Sequence, residues 1–135
     1  SITRVEFVDQ KFLYALRVDT SNGFELCPAD SCEIAVSDQP INKMPYFKNN
    51  IGPKFNIIAG FSTLPLGQRL IPCMTKLMKR VGMEVASFEF IIDKNSNPFV
   101  YDINVNTNYN NSVEERSELS GFSAVANFLQ KVSKY

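Results

Sequence analysis

The sequence predicts a single α+β domain over residues 1–135, in which a mostly antiparallel sheet of β-hairpins carries helices packed on one face. Three observations predict this class. Two pairs of segments alternate apolar and polar residues across short turns, as the strands of a half-buried sheet do. Two other segments repeat apolar residues every three or four positions, as amphipathic helices do. The length and the 44% apolar fraction suit one domain with its own core.

The strands are predicted in two separate hairpins. The first covers residues 4–8 and 12–18, with Asp9 and Gln10 in the tight turn between them. The second covers residues 84–93 and 98–105, with a turn at 94–97. Residues 27–65 contain five prolines and little periodicity, which indicates a long irregular loop with a short strand at 54–58.

The two helices are predicted after the irregular loop and at the end of the chain. The first ends at Val81, because Gly82 is a natural stop, and it begins between Leu66 and Ile71. Pro72 is tolerated if it lies in the first turn. An Asn-rich loop runs to about residue 119, and a closing helix covers residues 122–132. The predicted core consists of Phe88, Phe90, Ile92, Phe99, Tyr101 and Ile103, packed against Leu70, Met74, Leu77 and Val125.

Composition and charge exclude several classes of function. Lys plus Arg and Asp plus Glu both total 14, so the net charge of zero argues against binding nucleic acid or anionic membranes through bulk charge. No apolar run approaches the ~20 residues of a membrane span. The absence of histidine excludes His-based acid–base catalysis and His-ligated metals. We therefore expect neither a nucleic-acid partner nor a membrane partner.

The cysteines and the first residue indicate the origin of the chain. Cys27, Cys32 and Cys73 are an odd number, which fits free thiols in a reducing cytosol better than a secreted disulfide scaffold. The spacing of the first two suits half a zinc site, but no second pair of ligands exists. The chain begins with Ser1 rather than Met, and it has no signal peptide. We expect a cytoplasmic protein and a fragment of a longer one.

The second hairpin has a register that its own pattern fixes. The apolar residues have even numbers on the first strand and odd numbers on the second, and both sets must lie on the core face. The numbers of two facing residues therefore have an odd sum, and a two-residue or a four-residue loop makes this sum 191. The apolar pairs are then Phe88 with Ile103, Phe90 with Tyr101, and Ile92 with Phe99. The same register predicts Glu89 opposite Asp102, with Asn104 two residues further on the same face.

Two directly opposed carboxylates are unfavourable unless their charge is compensated. Their Cβ atoms lie ~5 Å apart, where two unit charges repel by roughly 3 kcal/mol at an effective dielectric of 20. Full exposure, protonation of one acid or a bound cation relieves this repulsion. Glu89, Asp102 and the amide oxygen of Asn104 suit a hard ion such as Mg²⁺. The alternative is a solvated outer face on which two acids happen to be opposed.

The hairpin resembles the metal-binding hairpin of ATP-grasp enzymes. The resemblance lies in residues 88–93 (Phe-Glu-Phe-Ile-Ile-Asp) and 97–104 (Asn-Pro-Phe-Val-Tyr-Asp-Ile-Asn), where an acid on one strand is followed by acid-hydrophobic-Asn on the next. The order of the hairpins and helices also fits that family. The sequence is most similar to carboxylate–amine ligases related to glutathione synthetase and to enzymes that add glutamate to a peptide or a ribosomal protein.

The resemblance implies a fold, a cofactor and a set of site residues. The chain would be the C-terminal subdomain of an ATP-grasp fold, with Glu89, Asp102 and Asn104 binding Mg²⁺ or Mn²⁺ at the phosphates of ATP. Arg17, on the first hairpin, would neutralise phosphate charge, and Asn106 would orient the acylphosphate or the acceptor. The alternative role of Asn106 is to cap a turn, and the alternative for Arg17 is an ordinary surface residue of the strand. Asp102 stands where most members carry Glu.

The activity implied is that of an ATP-dependent carboxylate–amine or carboxylate–thiol ligase. Such enzymes phosphorylate a carboxylate substrate, and an acceptor amine or thiol then displaces phosphate from the acylphosphate. Because ATP is held between two subdomains, an upstream ATP-grasp subdomain of the same protein would be the partner, and the fragment alone would be inactive. Two alternatives remain: a non-catalytic domain for nucleotide sensing or protein interaction, and a structural module stabilised by Ca²⁺ or Mg²⁺.

Overall fold

A computed structural model describes residues 1–21 and 54–134, which form an antiparallel sheet of five strands with three α-helices. The strands are β1 (Ile2–Val8), β2 (Lys11–Val18), β3 (Phe55–Ile57), β4 (Val85–Ile92) and β5 (Pro98–Asn104). The helices are α1 (Pro65–Val81), α2 (Asn111–Ser117) and α3 (Gly121–Val132), and a short 3₁₀ turn covers Phe61–Thr63. The strand order is β3-β2-β1-β4-β5. The predicted α+β class is confirmed.

Both hairpins and both predicted helices are present. Asp9 and Gln10 have positive φ angles of 53° and 58°, as the two central residues of a tight hairpin turn require. Helix α1 ends at Val81 as predicted, and the next residue, Gly82, has a φ of 73°, the left-handed conformation that favours glycine. It begins earlier than predicted, at Pro65, so Pro72 lies inside the helix rather than in its first turn.

Helix α2 was not predicted, because its residues read as part of an Asn-rich loop. The side chain of Asn110 accepts a hydrogen bond from the backbone N–H of Val113 at 2.9 Å, which caps the helix. Asparagine favours loops and helix N-caps alike, so the composition of this segment did not separate the two structures.

The helices are divided between the two faces of the sheet, which differs from the predicted packing on one face. Helix α1 buries Met74 and Met78 against apolar side chains of β1, β2 and β4. The opposite face packs against Tyr109, Val113 of α2 and Val125 of α3. Val125 therefore belongs to the second core and not, as predicted, to the core that contains Phe88 and Phe90.

Strand β5 contributes no side chain to either core cluster of the described residues. The predicted burial of Phe99, Tyr101 and Ile103 is wrong, since they are 54%, 44% and 41% exposed, and Ile92 and Leu77 are exposed as well. A helix about 10 Å wide covers roughly two strands spaced ~4.8 Å apart. Helix α1 lies over the centre of the sheet, so the edge strand remains uncovered.

The described residues include only some of the cysteines and only the end of the predicted irregular loop. Cys73 is an exposed free thiol on α1, whereas Cys27 and Cys32 lie outside the described residues, as does most of the predicted irregular loop. Within residues 1–21 and 54–134, no helix combines the length and apolarity needed to cross a membrane.

Candidate functional site

The β4–β5 hairpin brings the two predicted acids directly opposite each other. Glu89 pairs with Asp102, and Asn104 pairs with Ser87 two positions along the same face. The pairing of Phe88 with Ile103 also follows the predicted register. This face is turned away from α1, because the neighbouring residues Phe88 and Phe90 point into the α1 core. The predicted register is therefore confirmed for this half of the hairpin.

A bulge breaks the predicted register beyond Glu89. Phe90 pairs with Val100 rather than with Tyr101, and Ile92 pairs with Pro98 rather than with Phe99. Tyr101 is the extra residue, and its hydroxyl donates a hydrogen bond to Oε2 of Glu89 at 2.8 Å. Desolvation, and then this hydrogen bond, raise the pKa of Tyr101 above its usual value. The bulge thus adds a donor to the face that carries the acids.

Arg4 of β1 is a member of the site that sequence analysis missed. Strand β1 pairs with β4 so that Arg4 lies opposite Glu89, and Nη1 of Arg4 is 3.7 Å from Oε1 of Glu89. Its Nε lies 2.6 Å from Oε1 of Glu6, and its Nη2 donates a hydrogen bond to the hydroxyl of Thr107. Arg4 and Glu6 are spaced by two, which predicts a shared face but not the strand that they face.

Glu6 is a buried carboxylate beside the half-buried Glu89 and the exposed Asp102. Its side chain contacts Arg4, and both of its oxygens accept from the hydroxyl of Thr107, at 3.1 and 2.9 Å. Burial raises its pKa from 4.5 to about 7, while the charge of Arg4 and the hydrogen bond from Thr107 act in the opposite direction. Glu6 is therefore a titratable group whose charge depends on its contacts with Arg4 and Thr107.

The segment after β5 contacts both Asn104 of the hairpin and the buried pair of Arg4 and Glu6. Oδ1 of Asn104 accepts a hydrogen bond from the backbone N–H of Asn106 at 2.8 Å, as in an Asx turn. Thr107 follows and reaches back to Glu6 and Arg4. The structure therefore places Glu89, Asp102 and Asn104 on one face of the hairpin, and Asn106 contacts Asn104.

Arg17 is not brought to this group. It pairs with Thr3 of β1, and Thr3 pairs in turn with Phe90 of β4, so the three residues share the α1 face. Arg17 is exposed there, on the opposite side of the sheet from Glu89 and Asp102. Arg4, and not Arg17, is the arginine next to the acids.

A groove with a volume of about 430 Å³ opens beside Asn106 and Thr107. Apolar residues of β4, of the loop after β5 and of α3 form the rest of its lining, namely Val85, Val105, Tyr109, Phe122, Val125, Ala126 and Leu129. Val85 lies on β4 two and four positions before Ser87 and Glu89. The groove therefore lies on the same face of the sheet as the acids.

A second buried carboxylate links α2 to β2 and to the start of α3, the helix that lines the groove. Oε1 of Glu114 on α2 accepts from the hydroxyl of Tyr14 at 2.7 Å and from the backbone N–H of Gly121 at 2.8 Å. A Cβ at Gly121 would lie 2.2 Å from the ring of Tyr109, so only glycine fits this contact. These interactions fix the start of α3 against the sheet.

Within residues 1–21 and 54–134, no group of three or more His, Cys, Asp or Glu side chains is arranged to hold a metal ion. Strands β4 and β5 carry two acids on this face, Glu89 and Asp102. The amide oxygen of Asn104, two positions from Asp102, is a third oxygen that the hairpin places on this face.

The comparisons with known proteins identify the fold. No protein-family model matches the sequence, and no curated protein matches it. A solved structure of the ATP-grasp ligase PsnB complexed with a minimal precursor is similar, with a TM-score of 0.59 and 15% identity over 96% of this chain and 33% of PsnB.

A second PsnB structure, complexed with a phosphomimetic variant of the minimal precursor, Mg and ADP, gives a TM-score of 0.57 and 11% identity over 98% of this chain and 32% of PsnB. The chain spans about a third of the length of these ligases. At such identities the likeness concerns the fold alone. The chain has the α+β fold found in part of the ATP-grasp ligases.

Proposed function

We propose that the chain is the Mg–ATP-binding half of an ATP-dependent carboxylate–amine or carboxylate–thiol ligase that acts through an acylphosphate. The observation that carries the proposal is the opposition of Glu89 and Asp102, with Asn104 on the same face, in a fold shared with ATP-grasp ligases. The second PsnB structure contains Mg and ADP, which supports the same cofactors here.

The oxygen donors of the hairpin fit a hard divalent cation. Mg²⁺ prefers carboxylate, amide and phosphate oxygens, and it usually keeps several waters. The hydrogen bond from Tyr101 uses one of several lone pairs on Glu89, and the bond from Asn106 uses one of two on the amide oxygen of Asn104. Both residues therefore retain acceptor sites.

Each proposed role corresponds to a side chain of this chain. Glu89, Asp102 and Asn104 would hold one or two Mg²⁺ or Mn²⁺ ions, and such an ion neutralises phosphate charge during phosphoryl transfer. Asn106 is proposed to orient the acylphosphate or the acceptor. Arg17 is proposed to neutralise phosphate charge. Because Arg17 lies on the α1 face, that phosphate would have to lie on the α1 side of the sheet, away from Glu89 and Asp102.

The proposed partner is an upstream ATP-grasp subdomain of the same polypeptide. The exposed apolar side chains of β5 support this partner, because a large exposed apolar patch usually marks a surface that binds another protein segment. The threefold greater length of PsnB is consistent with it. We propose that the 135-residue chain is inactive by itself, since half of the ATP clamp would be missing, and that the protein is cytoplasmic.

The test is ATP turnover by the full-length natural polypeptide, assayed with Mg²⁺ over a panel of carboxylate substrates and amine or thiol acceptors. Glu89→Gln and Asp102→Asn should each lower turnover by about a hundredfold or more. Glu115→Gln removes the same charge from an exposed position on α2 and should leave turnover unchanged. Nucleotide binding without turnover of any substrate pair would instead support a nucleotide-sensing domain. Full turnover in both hairpin variants would contradict the proposed site.

A further inference from the structure

A buried ion pair lies directly beside the candidate metal ligands. Arg4 and Glu6 are only 2% and 1% exposed, and Nε of Arg4 lies 2.6 Å from Oε1 of Glu6. Neither side chain is accessible enough to contact a nucleotide or a substrate. Any influence of this pair on a bound cation must therefore act through the residues that it touches.

Arg4 is shared between two carboxylates. Its Nη1 lies 3.7 Å from Oε1 of Glu89, which is longer than a hydrogen bond, whereas its Nε is in close contact with Glu6. The hydroxyl of Thr107 accepts from Nη2 of Arg4 and donates to Glu6, which strengthens the link on that side. Glu6 and Thr107 thus hold the guanidinium away from full contact with Glu89.

The sharing matters because an arginine and a divalent cation compete for the same carboxylate. A guanidinium offers several N–H donors and pairs with a carboxylate through two parallel hydrogen bonds when it can. If Glu6 lost its charge, the nearest remaining acid for Arg4 would be Glu89. A buried arginine without a counter-charge is strongly unfavourable, so Arg4 would move toward Glu89.

We propose that Glu6 is a positioning residue that occupies Arg4 and thereby leaves Glu89 available to a divalent cation. The inference rests on the proposed function, because it needs Glu89 to be a metal ligand. It goes further in assigning a role to Glu6, Arg4 and Thr107, which do not belong to the predicted ligand set. It also gives a reason for the burial of this charged pair.

The test is a double-variant cycle on the full-length natural polypeptide, with Mn²⁺ as the probe and ADP present. The dissociation constant of Mn²⁺ is measured by electron paramagnetic resonance of the free ion. Glu6→Gln should raise that constant about tenfold or more, the usual effect of losing a residue that orients a ligand. Adding Arg4→Met to this variant removes the competitor and should return the constant to near the wild-type value.

Two different roles for Glu6 would give different results in this cycle. If the negative charge of Glu6 merely attracts the cation through space, Glu6→Gln should weaken binding by the same factor with Arg4 or with methionine at that position. If the pair only stabilises the fold, the double variant should bind no better than Glu6→Gln. Either result would overturn the proposal.

Folding and the ligand assignment are controlled separately. Circular dichroism of each variant checks the fold, and Thr107→Val provides a milder change that keeps both charges and should weaken Mn²⁺ binding slightly. If Glu6→Gln does not fold, an unchanged constant in Thr107→Val overturns the proposal. Glu89→Gln must also weaken Mn²⁺ binding. If it does not, the proposed function fails as well, whereas weakening in Glu89→Gln without weakening in Glu6→Gln rejects this inference alone.

Discussion

The two faces of the sheet bury different kinds of side chain. The α1 face buries apolar residues, among them Phe7, Phe88 and Phe90. The opposite face buries Arg4, Glu6 and Ser87 next to its own apolar core. Burying charges costs free energy unless each is paired, and this pair lies next to the half-buried Glu89. The α1 face is therefore an apolar core, whereas the other face combines an apolar core with the charged groups suited to binding.

The largest difference is expected between a core position and the edge strand. Phe90 is fully buried and Phe99 is 54% exposed, although the sequence predicted both in one core. Phe90→Ala should lower the free energy of unfolding by about 3–5 kcal/mol, because it leaves a cavity. Phe99→Ala should lower it by less than about 1 kcal/mol, because little area is buried there. Urea unfolding of both variants measures the difference, and equal losses would show that β5 is covered.

The second prediction concerns the pH dependence of the free energy of unfolding, to which the buried Glu6 contributes. The pKa of Glu6 rises from 4.5 to about 7 on folding, so the folded state binds its proton more tightly than the unfolded state. The free energy of unfolding should therefore fall as the pH rises from about 4.5 to about 7, by up to about 3 kcal/mol.

Urea unfolding across this pH range measures the slope. Glu6→Gln removes the titrating group and should flatten this part of the profile, whereas Glu115→Gln at an exposed position should leave it in place. A wild-type profile that rises between these pH values would show that Arg4 and Thr107 outweigh the desolvation of Glu6.

The smallest effect is expected at the opposed acids in the absence of metal. Asp102→Asn removes a like-charge contact at an exposed position and should leave the stability unchanged or raise it by less than about 1 kcal/mol. Glu89→Gln also loses the ion contact with Arg4 and alters the hydrogen bond from Tyr101, so it should not stabilise the protein. Thermal melting in a chelator compares the two, and a larger gain for Glu89→Gln would contradict this account.

The sequence contained the hairpin site but not its surroundings. Alternation alone predicted Glu89 opposite Asp102, because a short turn fixes both register and face. The predicted pairing of Tyr101 is wrong, because a bulge adds one residue to β5 and shifts every pair beyond it by one position. Arg4 was missed since β1 and β4 are joined by a long connection, and no local rule fixes the register of such strands. Helix α1 also covers only the central strands, which alternation cannot reveal.

The most direct test of the account is the position of a bound Mn²⁺ ion. Crystals of the full-length protein grown with ADP and Mn²⁺ would give an anomalous difference map that locates the metal. The account predicts a peak between Glu89 and Asp102, at about 2.0–2.5 Å from their carboxylate oxygens, with Arg4 still paired with Glu6. A metal bound to the nucleotide elsewhere, with Glu89 in contact with Arg4 instead, would contradict it.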